Sequence, residues 1–254
     1  MADNNPGRNP GLIRTSKKGM VGYLEIHRPE KANAYNQALL LELARSLDQM
    51  EGDSTVRSLI IYGAGNRSFC AGADLEEMHI KDYSDALSLK SSKVFAAIAS
   101  YPKVTVAAIN GAAVAGGLEM ALACDIRICS EQARFFFPET KLGLIPAAGG
   151  TQRLSQVVGI GRAKELILGG GIWSAEDALR FGLVSEVVPS DTLLACAQLW
   201  GERIAERNPL ALQLAKRAID FRTSYNLESG VEAVTEALLY QIKIKKGPFH
   251  NCLE

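Results

Sequence analysis

The sequence predicts an α/β fold: a spiral of strand–strand–helix turns followed by a helical subdomain. Three observations predict it. Short β-branched runs at 56–62 and 104–109 are bounded by glycine and polar turns and suit interior strands. Each passes into a second short strand-like run and then a helical pattern, and a third such unit follows, with no detectable repetition of the residues themselves. From residue 191 the strands stop and three helical stretches follow. The expected division is a flexible tail at 1–12, a core at 13–190 and a helical subdomain at 191–254.

Taken in order, the polar opening with Pro and Gly lacks the apolar centre of a signal peptide and reads as a tail. Residues 19–26 alternate as a strand that Pro29 ends. Asn36 offers an N-cap to a helix whose Leu39, Leu40, Leu43 and Leu47 recur at helical spacing. The strand at 56–62 is followed by a turn at 63–67 and the short run 68–70. Residues 71–78 are a turn into a short helix beginning around Ala73, with Asp74 as a cap. A helix at 85–100 ends before Pro102 and delivers the chain to the strand at 104–109.

Small-residue backbone at 111–117 then leads directly into a helical pattern, so a strand delivers a helix N-terminus. Two strand-like runs at 126–129 and 134–137 follow, separated by polar residues. Residues 149–154 form a Gly-rich entry to another helix, with helical patterns at 161–168 and 174–181. Ser174 opens the latter with Asp177 three positions on, and Gly182 closes it. Residues 184–188 are the last strand. The terminal helices are expected at 192–206, 209–221 and 227–245. They are too few to bury their apolar faces alone and must cover the core or a neighbouring subunit; an intrachain lid fits the pattern as well as an oligomer.

Composition removes several classes of function. Lys plus Arg and Asp plus Glu stand at 28 each, without the basic excess of a nucleic-acid binder. No apolar run approaches the ~20 residues that cross a bilayer, so no membrane partner is expected. Five cysteines with no CxxC pairing read as reduced thiols of a cytoplasmic protein, and Cys70 as a packed small residue rather than a nucleophile. There is no GxSxG, no P-loop and no complete GxGxxG, and the three histidines, His27, His79 and His250, lie far in sequence from the acidic residues of interest. A Ser/His hydrolase and a histidine-ligated metal are therefore disfavoured, and no metal is expected.

Chemistry concentrates in residues 107–153, where Glu119 and Glu139 flank short apolar segments. Glu119 falls in the first turn of a helix whose free N–H groups and dipole favour negative oxygen, and Gly116 and Gly117 let a ligand approach the backbone. Two carboxylates in one apolar pocket can hold a water and take opposite protonation roles, because burial and mutual repulsion separate their pKa values. Spacing alone is equally compatible with Glu119 complementing the helix dipole and Glu139 pairing with Lys141 or Arg153.

Four stretches carry a resemblance: HRPEKANAYN at 27–36, SFCAGADLEEM at 68–78, AAINGAAVAGGLEMALACDIRI at 107–128 and PETKLGLIPAAGGTQRL at 138–154. In this order, over 19–188, the chain resembles the enoyl-CoA hydratase/isomerase, or crotonase, superfamily. The resemblance implies a crotonase (ClpP-like) spiral and hydration of a trans-2-enoyl thioester of coenzyme A. It implies that the N–H groups of Ala73 and Gly116 form an oxyanion hole, that Glu119 activates water, and that Glu139 holds that water and protonates C2. A scheme in which one carboxylate makes both transfers stays open.

The resemblance further implies coenzyme contacts from Ala71, Asp74, Leu75, Glu76, Lys31 and Ala32, and a backbone lining from Ala147, Gly149 and Gly150. No separate cofactor is implied, because the substrate carries the coenzyme; trimers pairing into hexamers are. Retention of both carboxylates favours a hydratase over an isomerase. Carnitinyl-CoA dehydration and methylglutaconyl-CoA hydration remain alternatives, as does, remotely, a noncatalytic or RNA-binding member, against which the neutral charge speaks. Three positions depart from the family pattern. Phe136-Phe137 replaces a common Gly-Gln, Ala147 replaces a glycine, and Glu76 stands where a lysine is frequent.

Overall fold

Strands passing alternately between two sheets organise the core. The computed structural model describes residues 11–78 and 90–220. The larger sheet runs β1 (Ile13–Lys18), β2 (Val21–Ile26), β3 (Ser58–Gly63), β5 (Val104–Ile109), β7 (Ile126–Ser130) and β10 (Glu186–Val188). All neighbours in it are parallel except the β1–β2 hairpin. The smaller sheet runs β4 (Ser68–Cys70), β6 (Ala112–Val114), β8 (Arg134–Phe136) and β9 (Trp173–Ser174), parallel until the final antiparallel pair.

Each turn of the spiral places its first strand in the large sheet and its second in the small one, then adds helix. The first turn is β3 and β4, then α2 (Leu75–Met78) and α3 (Lys90–Ala99); the second is β5, β6 and α4 (Gly116–Ala123); the third is β7, β8 and α5 (Gly150–Gly169). The rhythm expected from the sequence is therefore the architecture. β3 and β5 are covered on both faces, with Leu59, Ile60, Ile61, Val106, Ala107 and Ile109 fully buried, which is why they read as continuous apolar runs.

α1 (Gln37–Gly52) is capped as expected: the Asn36 side chain accepts from Leu39 N–H at 2.9 Å, and Leu39, Leu40, Leu43 and Leu47 face inward. α6 (Ala175–Arg180) opens with the Ser174/Asp177 capping box, and α7 is Leu193–Ala205. Ser58 Oγ–H donates to the Gly201 carbonyl at 2.9 Å, fastening α7 to the start of β3, an interior strand of the larger sheet. Two compact units divide between Glu206 and Arg207, so α7, read from the sequence as part of the terminal subdomain, is in the first unit. Within the second unit α8 (Pro209–Asp220) starts at Asn208, whose side chain accepts from the N–H of Leu210 and Ala211.

β1 has no counterpart in the sequence reading, because five of its six residues are exposed and polar alternation is absent. α5 is broken at the non-helical Gly159 (φ 82°, ψ 157°) into two helical segments, which matches the separation of a Gly-rich entry at 149–154 from a later helix at 161–168. The tail at 1–10, the first part of the expected 85–100 helix and the expected 227–245 helix lie outside the described residues.

Candidate active site

The first wall of the site is the turn after β4. Tyr35 and Ala73 form a parallel bridge in which the Tyr35 N–H donates to the Gly72 carbonyl and the Asp74 N–H donates to the Tyr35 carbonyl, both at 2.8 Å. In that pattern Tyr35 uses both its backbone groups on the residues either side of Ala73, so the Ala73 N–H faces away from it. Asp74 is held by Arg28 Nη2 at 2.7 Å, which keeps its carboxyl below the usual range, and Asp74 Oδ1 accepts from Glu76 N–H. The cap at α2 and a free Ala73 N–H coexist because they use different donors.

The second wall is the start of α4. Ala115, just before it, holds φ 52° and ψ −126°, a conformation that costs a residue with a Cβ on the order of 1–3 kcal/mol, and its N–H donates to the Phe136 carbonyl at 3.1 Å. The bend aims the N–H of Gly116, first residue of the helix and so without an intrahelical acceptor, out of the helix axis. Glycine is required here by contact: a Cβ on Gly117 would lie 2.0 Å from the Cys70 carbonyl oxygen, and one on Gly116 2.1 Å from the Tyr35 hydroxyl. The two walls touch, since a Cβ on Gly72 would stand 3.4 Å from Gly116 N.

Glu119, one turn into α4, is 3% exposed. Its Oε1 accepts from the N–H groups of Ala148 and Gly150, both at 2.8 Å. Burial raises its pKa, while those two donors and the nearby Arg153 guanidinium oppose the rise. Arg153 Nη1 also donates to the Ala148 carbonyl at 2.9 Å, fixing the loop that holds Glu119. Glu139 begins a 3₁₀ turn (Glu139–Leu142) after Pro138. Among the described residues its Oε2 is buried without a hydrogen-bond partner, and burial, then the field of Glu119, push its pKa up to about 7. Neither carboxylate forms an ion pair among the described residues, so the pairings with Lys141 or Arg153 that spacing allowed are not formed. One carboxylate is thus held by two peptide donors of a neighbouring loop, while the other is hydrogen-bonded to its own backbone N–H and lies in the field of the first. This is an arrangement for moving protons in opposite directions.

The remaining predicted residues form an edge leading to these walls. The Ala71 N–H donates to the Ala32 carbonyl at 3.1 Å, and Lys31 Nζ pairs with Glu76 Oε1 at 2.6 Å, both exposed. Leu75 is 61% exposed on the same turn. Gly149 (φ 103°) lies under the Arg153 guanidinium, and Ala147 is exposed on the loop beside it. Cys70 is fully buried with its thiol pushed up to about 12 by desolvation, which fits packing rather than nucleophilic chemistry.

The family model described as Enoyl-CoA hydratase/isomerase matches residues 16–248. The chain belongs to the enoyl-CoA hydratase/isomerase family. Its two-sheet spiral is the crotonase fold. Among curated relatives, a short-chain-enoyl-CoA hydratase of Clostridium acetobutylicum is 40% identical over 87% of this chain and 85% of its own. A 2,3-dehydroadipyl-CoA hydratase of Escherichia coli is 39% identical over 85% of this chain and 84% of its own. Among solved structures, an enoyl-CoA hydratase from Bacillus anthracis superposes with a TM-score of 0.87 at 37% identity, covering 92% of each chain. Pseudomonas aeruginosa DspI superposes with a TM-score of 0.88 at 33% identity, over 95% of this chain and 100% of the other.

Within this member of the enoyl-CoA hydratase/isomerase family, sequence reasoning missed three contributors. Ala148 supplies a peptide N–H, which any residue type could, so no side-chain signal marks it. Ala115 contributes a backbone angle, and the only clue was the run of small residues around it. Arg153 was considered as a partner for Glu139, whereas it acts on the loop and field around Glu119.

Proposed function

We propose that the protein hydrates trans-2-enoyl-CoA to 3-hydroxyacyl-CoA. The thioester oxygen lies between the N–H groups of Ala73 and Gly116, which stabilise the enolate-like charge as water adds at C3. Glu119, kept toward its ionised form by Ala148 N–H, Gly150 N–H and Arg153, takes a proton from that water. Glu139 delivers a proton to C2. The single observation that carries this reading is the asymmetry of the pair: two peptide donors on Glu119, none on Glu139 Oε2 among the described residues, and a Glu139 pKa of about 7 that leaves it substantially protonated at neutral pH. Membership of the family and the hydratases named among its relatives support the reaction class.

Coenzyme A is placed along the edge formed by Lys31, Ala32, Ala71, Asp74, Leu75 and Glu76, with Ala147, Gly149 and Gly150 around the reacting end. The Lys31–Glu76 pair there leaves little free positive charge for phosphate. The chemistry needs no metal or further cofactor, because the thioester supplies the activation. Buried cysteines outside any disulfide at Cys70, Cys124 and Cys129 support a reducing compartment such as the cytoplasm. No described helix is long and apolar enough to cross a membrane. Assembly as a homotrimer or homohexamer is supported by exposed Leu142, Leu144, Ile145, Leu168 and Ile172.

The test is loss of the conjugated-thioester absorbance with crotonyl-CoA, compared with longer and branched enoyl-CoAs. Glu119→Gln and Glu139→Gln each lower kcat by about 10²–10⁴ while the Kd for the product changes little. Normal hydration by both variants refutes the assigned roles.

A further inference from the structure

Tyr35 stands where the two walls meet, and the reaction above gives it no part. Its backbone holds the first wall on both sides of Ala73 through the two 2.8 Å bonds to Gly72 and Asp74. Its side chain reaches the second wall. A Cβ on Gly116 would meet the Tyr35 hydroxyl at 2.1 Å and its Cε1 and Cζ at 2.8 Å, so the tip of the phenol rests directly on the Gly116 backbone. Phe95 of α3 braces the ring edge-on, at 5.6 Å between centroids and 90° between planes, and the Ser91 side chain is hydrogen-bonded to the hydroxyl. Glu119 and Glu139 both act electrostatically on that hydroxyl, which burial keeps neutral.

We propose that Tyr35, with Ser91 holding its hydroxyl, is a positioning residue that sets the separation of the Ala73 and Gly116 N–H groups. The proposal rests on the reading of those two groups as the thioester-oxygen site. A donor stabilises developing charge only when it lies about 2.7–3.1 Å from where the oxygen will be, and these two donors belong to successive turns of the spiral. One rigid residue, hydrogen-bonded to one turn and seated against the other, removes the freedom of the turns to drift apart. The aromatic ring does this at small entropic cost, since it has few rotatable bonds and is already packed on Phe95.

The experiment combines steady-state hydration of crotonyl-CoA with the infrared carbonyl stretch of bound butyryl-CoA carrying ¹³C at the thioester carbon. In the unaltered protein the stretch is lowered on binding. In Tyr35→Phe, kcat falls about tenfold, and in Tyr35→Leu about a hundredfold, with KM changed less than about twofold. In both the bound stretch moves back toward its value in water. Ser91→Ala behaves like Tyr35→Phe, and the double variant is no worse than Tyr35→Phe alone, because both changes release the same restraint. A lowered stretch that stays unchanged in the Tyr35→Phe and Tyr35→Leu proteins overturns the role of Tyr35 and leaves the oxygen site standing. No lowering in the unaltered protein overturns the oxygen site, and the role of Tyr35 with it.

Discussion

Glu139 presents a buried carboxylate oxygen with no donor among the described residues, in the field of a second acid, Glu119. With its pKa near 7, a proton-donating role makes kcat/KM for hydration fall as pH rises past about 7, since the acid is then lost. A pH–rate profile checks this, and Glu139→Gln abolishes the alkaline limb together with most of the turnover. Arg153 governs the other limb. Its positive charge opposes the rise in the Glu119 pKa, so Arg153→Ala raises that pKa further and the base becomes protonated at higher pH. The acid limb of the profile therefore moves to higher pH in Arg153→Ala, and Arg153→Lys moves it less.

At the scale of elements, α4 is where packing decides function. It is buried along its whole length, and Gly117 lets its first turn sit against the end of β4. Gly117→Ala puts a methyl 2.0 Å from a backbone oxygen that cannot rotate away, and costs about 1–3 kcal/mol or more in urea unfolding. Gly161→Ala is the contrast. It lies in the first turn after the break at Gly159 with nothing within 4 Å of its Cβ position, and changes the urea stability by no more than about 0.5 kcal/mol. Such differences explain how much of the elements could be read in advance. α1 and α6 announce themselves through Asn36 and the Ser174/Asp177 box, and β3 and β5 through burial on both faces. β1 does not, because a solvent-facing edge strand needs no apolar pattern. The carboxylates were legible as residues in a strong local pattern, whereas the N–H groups of Ala148 and the angle at Ala115 belong to backbone, which sequence does not display.

For the molecule as a whole, the two acids impose a pH dependence on stability. Both have folded pKa values above the ordinary carboxylate value of 4.5, Glu139 reaching about 7. Between those values the folded protein holds more protons than the unfolded chain, so stability falls as pH rises. The favourable contribution of Glu139 is complete below about pH 4.5 and gone above about pH 7, that of Glu119 is lost in the same direction, and Asp74, whose pKa Arg28 lowers, stabilises above the ordinary aspartate range and loses this only as pH falls below it. The urea midpoint is therefore expected to be higher at pH 5 than at pH 8, and the difference to shrink in Glu139→Gln. Light scattering is expected to give a mass three or six times the 27.4 kDa of one chain, and a monomer would count against the proposed assembly.

β4 and β6 are hydrogen-bonded neighbours, Ser68 opposite Ala112 and Cys70 opposite Ala113, and the peptide nitrogens of Ala73 and Gly116 follow their respective strands. The gauge of the proposed two-pronged socket therefore starts from the roughly 4.8 Å spacing of neighbouring strands. Side chains lining the pocket can be exchanged to admit other acyl groups while the ladder, together with the Tyr35 brace across it, keeps the proposed donors in gauge.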